Sequence, residues 1–280
     1  MSGTLYIVAT PIGNLEDLSP RARQTLAAVD LVAAEDTRHT GRLLSHFGVK
    51  ARLLALHDYN EAERAGMLVD ALREGRSVAL VSDAGTPLIS DPGYRLVQAA
   101  HEAGITVSPV PGPSALAAAL SVAGLPTDRF CFEGFLPAKA KARHDRLAGL
   151  AGETRTMVFF ESVHRVADCI DAMITVFGPD RPAFLGRELS KLHEQLQLAA
   201  LARLRAQLAS GDIVARGEFV IVVGGADETG ASSNDSDVLL RELSGKLPDK
   251  EVARIVSRVT GDRKNDLYRR LLEMAAPRSQ

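Results

Sequence analysis

Short apolar runs alternate with amphipathic stretches through the first 123 positions. Leu5–Ala9, Leu31–Ala34, Leu53–Leu56, Ser77–Val81 and Thr106–Pro109 have the length and composition of strands. Between them the apolar positions take helical spacing. One helix opens at Ser19-Pro20, with Ser as N-cap and Pro in the first turn. Others are expected over Thr37–Phe47, over Asn60–Glu74 with an end near Gly75, over Tyr94–Ala103, and over Ser114–Val122 after a Pro-Gly-Pro turn. Strands alternating with helices in this way predict βαβ units and a mostly parallel sheet.

Gly124-Leu125-Pro126 breaks the rhythm. Beyond it, Arg155–Phe160, Pro182–Gly186 and Gly217–Val223 read as strands, and Ser162–Phe177 and Gln195–Leu208 as helices. A second α/β or α+β domain is therefore expected. The stretch Asp227–Asp237 is rich in Gly, Ser, Asn and Asp and reads as a linker, and Val238–Met274 is helical without a strand. The expected organisation is a first α/β domain over 1–123, a second over 124–226, a linker over 227–237 and a helical region over 238–280.

Composition adds little to the fold and more to the setting. A chain of 280 residues is comfortable for two domains, and its aliphatic bias, with no Trp and 5% aromatics, points to a core packed by Ala, Leu and Val. Cys131 and Cys169 stand far apart with no CxxC or His-spaced partner, which argues against a zinc site or a disulfide framework. The opening lacks a basic n-region and a long apolar core, and no run reaches the roughly eighteen apolar residues of a membrane span. A soluble cytoplasmic protein is expected. Net charge is −2, yet the segment Val238–Gln280 carries ten Lys/Arg against six Asp/Glu. A basic appendage on an acidic body points to an anionic partner.

Several chemistries are missing. No GxGxxG follows the first strand, and no GxxxxGK[ST], GxSxG or HExxH occurs. Nicotinamide-dependent hydride transfer, P-loop hydrolysis and zinc hydrolysis lose their support together. What remains is a set of turns after predicted strands: Ala9–Leu15, Val81–Gly93, Val110–Ala115 and Phe160–Arg165. In an open parallel sheet ligands gather at the carboxyl ends of the strands, and Gly/Pro turns there let backbone groups approach closely. Asp83 follows the most apolar strand, where a carboxylate can bond a ribose or an amino group; Asp91 lies in the same turn. Ala34–Arg42 packs acid, base and hydroxyl groups onto a strand-to-helix junction. Arg38 and Arg42, four apart on one helical face, suit a phosphate. His57-Asp58 adds a titratable pair near the same edge.

These turns, in this order, resemble the tetrapyrrole-methylase superfamily, and within it the bacterial small-subunit rRNA cytidine 2′-O-methyltransferases. The resemblance rests on Thr10-Pro11-Ile12-Gly13-Asn14-Leu15-Glu16-Asp17, Glu35-Asp36-Thr37-Arg38, the run Ser82–Gly93 and Pro111-Gly112-Pro113-Ser114-Ala115. It continues through Gly134-Phe135-Leu136-Pro137, Glu161-Ser162-Val163-His164-Arg165, Gly186–Lys191 and Lys264-Asn265-Asp266-Leu267-Tyr268. Val163 stands where the family pattern has Pro, and the opening lacks the GxGxGD loop of the tetrapyrrole-making enzymes.

The resemblance implies a tetrapyrrole-methylase-like fold of two α/β domains with S-adenosylmethionine in the cleft between them, a small helical C-terminal appendage, and a homodimer. It implies a cofactor site at Pro11, Ser82, Asp83, Ala84, Gly85, Leu88, Ser114 and Ala115. The implied substrate is 16S rRNA in the small ribosomal subunit, methylated at a cytidine ribose. Glu35, Asp36 and His57 are the candidates for a general base. Arg38, Arg42, Arg263 and Lys264 are the candidates for holding RNA phosphates. No metal is expected. The alternatives are a small-molecule, precorrin-like acceptor on the same fold, and a non-catalytic ribosome-binding protein.

Overall fold

The five apolar runs of the first half lie side by side in one all-parallel sheet, in the order β3-β2-β4-β1-β5. The strands are β1 (Thr4–Val8), β2 (Leu31–Ala34), β3 (Leu53–Ala55), β4 (Val78–Val81) and β5 (Thr106–Val110). The computed structural model describes residues 2–226, 228–260 and 262–275. Helices α1 (Pro20–Ala28), α2 (Thr37–His46), α3 (Glu61–Arg73), α4 (Tyr94–Glu102) and α5 (Ala115–Val122) follow the strands in turn. The Ser19 hydroxyl accepts from the Ala22 N–H at 3.0 Å and Pro20 opens α1, as the capping pattern expects.

The inner strands β2 and β4 are apolar throughout because both faces are covered. Val78 and Leu80 of β4 pack with Leu68 and Leu72 of α3 and Leu96 of α4. Ala79 and Val81, the alternate positions, pack with Ala22 and Leu26 of α1 and Leu44 of α2.

A second sheet has the order β6-β7-β10-β8-β9 and is mixed, with only β6 and β7 parallel. Its strands are β6 (Phe130–Phe135), β7 (Thr156–Ser162), β8 (Pro182–Arg187), β9 (Gln195–Ala200) and β10 (Glu218–Val223), with helices α6 (Ala140–Ala148), α7 (Val166–Phe177) and α8 (Leu201–Ser210). Strand alternation again divides the labour. Met157 and Phe159 of β7 and Phe219, Ile221 and Val223 of β10 face the core under α6, α7 and α8. Val158, Val220 and Val222 face the other way and meet Ala119 and Ala123 of α5 and Ile12 of the first turn. This shared core holds the two sheets together at the base of a cleft.

Three stretches fold differently from the pattern of their sequence. Gln195–Leu208 is not one helix. Gln195–Ala200 is strand β9, paired antiparallel to β8 from Pro182↔Ala200 to Arg187↔Gln195, and the helix starts at Leu201. The Gln-Leu-Gln-Leu alternation has period two, and strand pairing outweighs the helical propensity of Gln, Leu and Ala. The expected linker is helical from Glu228 onward, as the first part of α9 (Glu228–Leu243), with Asp227 outside the described residues. Ser, Asn and Gly weaken a helix without breaking it, and no Pro intervenes before Leu240, which is fully buried. Strand β6 and helix α6 fall in a stretch where the sequence predicted no element.

Helices α10 (Asp249–Thr260) and α11 (Lys264–Ala275) follow and close on α9 around Leu240, Val252, Ala253, Val256, Leu267 and Leu271, with positions 261 and 276–280 of the expected helical region outside the described residues. Among the described residues no helix is long and apolar enough to cross a membrane.

Candidate functional site

The turns after β1, β4 and β5 are stitched to one another. Thr10 and Gly85 exchange backbone hydrogen bonds of 2.9 and 3.1 Å. The Thr10 hydroxyl donates to the Ser82 carbonyl at 3.2 Å, and the Thr86 hydroxyl to the Pro113 carbonyl at 3.1 Å. Ser82 is buried and its hydroxyl lies 3.3 Å from the carbonyls of Ala84 and Gly85. The rest of the long turn is tightly coiled, with Leu88 and Ser90 at φ of 73° and 68°. Its far end is held by Glu61, only 7% exposed, whose carboxylate accepts from the N–H groups of Gly93 at 3.1 Å and Arg95 at 2.8 Å. A residue at the start of α3 thus caps α4.

Between these turns and the second sheet lies a cavity of about 420 Å³. One wall carries Ile12, Glu35, Asp83, Ala84, Gly85, Thr86, Ile89, Ser90, Asp91, Ser114 and Ala115. The other carries Phe135, Phe160, Glu161, Ser162, Leu189, Lys191 and the start of β10. Pro11, Ser82 and Leu88, expected at the cofactor, do not line it. Pro11 and Ser82 are buried within the turns, and Leu88 packs against the core beneath α3 and α4.

The carboxylates set the electrostatics. Burial, with the charges of Asp83, Asp91, Asp58 and Asp36 in that order, pushes Glu35 up to about 7. Burial also raises Asp91, to about 6, although a hydrogen bond with Ser82 works against it. Asp36 is tied up differently. Its Oδ1 accepts from the N–H groups of Arg38 at 2.7 Å and His39 at 3.4 Å, capping α2, and its carboxylate pairs with the Arg38 guanidinium at 3.2 Å. The Arg38 hydrogen bond holds Asp36 below the usual carboxylate range. His57 lies outside the cavity lining, with Nε2 3.1 Å from the Asn60 amide nitrogen and its backbone N–H on Asn60 Oδ1. Arg38 and Arg42 are exposed on α2, Arg38 with 86% of its side chain in solvent. Arg263 and Lys264 lie at the start of α11, in the C-terminal helices.

The second sheet supplies groups the sequence reading did not assign. Glu161, with 1% of its side chain exposed, pairs with Arg165 at 2.8 Å, and Arg165 also donates to the Leu136 carbonyl. Lys191 bonds Glu188 at 2.8 Å and Glu218 at 2.9 Å, while the adjacent Ser190 hydroxyl donates to Asp17 at 2.6 Å, joining the β8–β9 loop to the first turn. The motifs containing these residues were legible, but their convergence on one cavity depends on the packing of the two sheets. Among the described residues no cluster of His, Cys, Asp and Glu fits a metal ion.

Two sheets joined over a cleft lined by strand-end turns define the class. The Tetrapyrrole (Corrin/Porphyrin) Methylases match residues 4–205, and the chain belongs to that family. The RsmI C-terminal HTH domain matches residues 230–275. The chain is 53% identical to the ribosomal RNA small subunit methyltransferase I of Xylella fastidiosa strain Temecula1, over 95% of this chain and 98% of that protein. It is 50% identical to the protein of the same name from Escherichia coli O157:H7, over 97% and 95%. Among solved structures, the methyltransferase CobJ superposes with a TM-score of 0.58 at 20% identity, covering 80% of this chain and 95% of that one. A uroporphyrin-III C-methyl transferase from Thermus thermophilus, complexed with S-adenosyl homocysteine, does so at 0.54 and 21% identity, covering 79% and 97%.

Proposed function

We propose that the protein is an S-adenosylmethionine-dependent ribosomal RNA methyltransferase, acting on a cytidine ribose 2′-hydroxyl of 16S rRNA in the small subunit. The observation that carries the reading is the near-full-length identity of about half to relatives named ribosomal RNA small subunit methyltransferase I. The cavity supports the cofactor. Its volume is ordinary for a small-molecule site. Gly85, at φ 84°, has no Cβ where one would stand 3.2 Å from Ile12 Cγ2, so the turn packs closely on Ile12 in the cavity wall. Ile12, Ala115, Leu189 and Val220 offer apolar surface, and Asp83 has a second oxygen available for ribose hydroxyls or an amino group.

S-adenosylmethionine supplies a methyl group already activated on a positively charged sulfur, so the acceptor oxygen needs only alignment and loss of its proton. Glu35 would take that proton. It lines the cavity, and its raised pKa makes it a better base near neutral pH than an ordinary glutamate. The capping and pairing of Asp36 and the Asn60 contact of His57 leave both less suited to the task. Arg38 and Arg42 on α2, and Arg263 and Lys264 on the C-terminal helices, would hold RNA phosphates. A homodimer accords with the exposed apolar side chains Val122, Leu192 and Leu198, and its mass in solution checks it.

The test is methyl transfer from radiolabelled S-adenosylmethionine to small subunits purified from a strain lacking the gene. Label recovered in 2′-O-methylated cytidine is expected, and Glu35→Gln should lower kcat by roughly 100-fold. Absence of label in RNA, with cofactor binding intact, would overturn the RNA assignment and direct attention to small acceptors.

A further inference from the structure

Strand β6 carries a local irregularity with a consequence for the cavity. Phe132 pairs with Val158, but the next pair is Gly134 with Phe159, so Glu133 is an extra residue with no partner in the ladder. Gly134 takes φ 63°, a conformation glycine adopts without strain. Without the bulge, alternation would put Phe132 and Phe135 on opposite faces of the sheet. With it, Phe135 stands opposite Phe160, on the same face as Phe132 and Val158, toward the cavity. A bulge in a parallel pair is uncommon, and bulges near sites commonly re-aim a side chain.

The side chain so delivered is not packed away. Phe135 is 56% exposed although it lines the cavity. It rests edge-to-face on Phe160, with ring centroids 5.9 Å apart, and Phe160 is braced in turn by Phe132 at 4.9 Å. A Cβ on Gly134 would stand 3.4 Å from Ser90 Oγ, so the bulge abuts the turn that carries Asp91. A supported aromatic ring, more than half exposed, thus shares a cavity with the raised carboxylates. Sequence-specific RNA recognition works by stacking an unstacked base on such a ring.

We propose that Phe135 is the stacking platform for the base of the acceptor nucleotide, holding that nucleotide so that its ribose hydroxyl faces Glu35. The inference rests on the RNA reading above and adds the group that orients the substrate. The half-exposed position of Phe135 at the rim favours the incoming base over the adenine of the cofactor, which the deeper turns around Gly85 and Ala115 would enclose.

The experiment compares wild type with Phe135→Ala, Phe135→Leu and Phe135→Trp on unmodified small subunits, and measures cofactor affinity by calorimetry without subunits. Phe135→Ala should lower kcat/KM by roughly 10- to 100-fold. Phe135→Leu should do nearly the same, and Phe135→Trp should retain most activity. Cofactor affinity and melting temperature should stay at wild-type values in all three. Unchanged kcat/KM in Phe135→Ala, full activity in Phe135→Leu, or a parallel loss of cofactor affinity would each overturn the assignment. The wild-type reaction separates the two readings: no RNA label with wild type defeats the RNA reading itself, whereas equal labelling by wild type and Phe135→Ala defeats only the role of Phe135.

Discussion

The backbone N–H of Asp36 donates to Asp83 Oδ1 at 3.0 Å, joining the turn after β2 to the turn after β4. The two strands are neighbours in register, with Ala34 opposite Val81, so each turn leaves its strand at the same level. One carboxylate therefore does two things: it fixes the peptide next to Glu35 and adds negative charge beside the Glu35 side chain.

Asp83→Asn separates these roles, because the asparagine Oδ1 still accepts the Asp36 N–H. Removing the charge removes the largest charge contribution that raises Glu35, which stands at about 7. A base must be deprotonated to act, so activity rises with pH through its pKa. The acid limb of the kcat/KM profile should lie near pH 7 in wild type and move to lower pH in Asp83→Asn. An acid limb that stays in place would exclude Glu35 as the titrating base.

Glu35 also predicts a stability change with a definite sign. Its carboxyl goes from 4.5 in an unfolded chain to about 7 in the fold, so the folded state binds more protons between those values. Its burial therefore costs stability as pH rises from about 4.5 to 7, and costs nothing below that window. Glu35→Gln should be more stable than wild type at pH 8, by about 1–2 kcal/mol once solvent screening at a half-open site is allowed for. The advantage should vanish on titration to pH 4. Denaturant midpoints at the two pH values measure it directly.

Glu61 offers a test of how the long turn is held. Its carboxylate satisfies the N–H groups of Gly93 and Arg95, across more than thirty positions of sequence. Glu61→Ala leaves both without that acceptor at a buried site, and should destabilise the protein by about 2–4 kcal/mol. Glu61→Gln keeps an acceptor oxygen and loses only the charge near the helix N-terminus, for about 0.5–1 kcal/mol. Equal losses in the two variants would show that charge, not hydrogen bonding, holds the turn.

Much of the first sheet was legible because its strands are buried on both faces and so read as unbroken apolar runs, such as Val78–Val81. The mixed sheet was less so. Strand β9 is an edge strand whose Leu196 and Leu198 remain partly in solvent, and its short Gln-Leu alternation gave way to strong helix formers on either side. Strand β6 escaped notice because Glu133 and Gly134 interrupt Phe-Cys-Phe, and a bulge has no period. For the cavity, the turns themselves could be read, and Asp83, Ala84, Gly85, Ser114, Ala115 and Glu35 do line it. Of the second sheet, the turn Phe160–Arg165 could be read as a candidate, but Phe135, Leu189 and Lys191 could not be placed there, since the packing of Val158 and Val220 on α5 brings the sheets together. Nor did sequence distinguish Glu35 from its neighbour Asp36, because the difference lies in where the helix cap falls.

Glu161 is the most deeply buried carboxylate in the cavity wall, and its partner Arg165 ties it to the end of β6. Arg165 spans from the Glu161 carboxylate to the Leu136 carbonyl, one residue beyond Phe135. Arg165→Met keeps the bulk and strands a carboxylate that has 1% exposure, for which a loss of about 3–5 kcal/mol is expected. Glu161→Gln with Arg165→Met removes the stranded charge and should recover at least half of that loss, since the burial of an unpaired ion, not the missing attraction, is the larger cost. Stability alone does not test the link to β6. The double variant does, because it restores the fold while leaving the Leu136 carbonyl without its donor. It should regain thermal stability yet keep a raised KM for small subunits, with cofactor affinity unchanged. Recovery of KM along with stability would mean that Arg165 serves the core of the second sheet and does not position the end of β6.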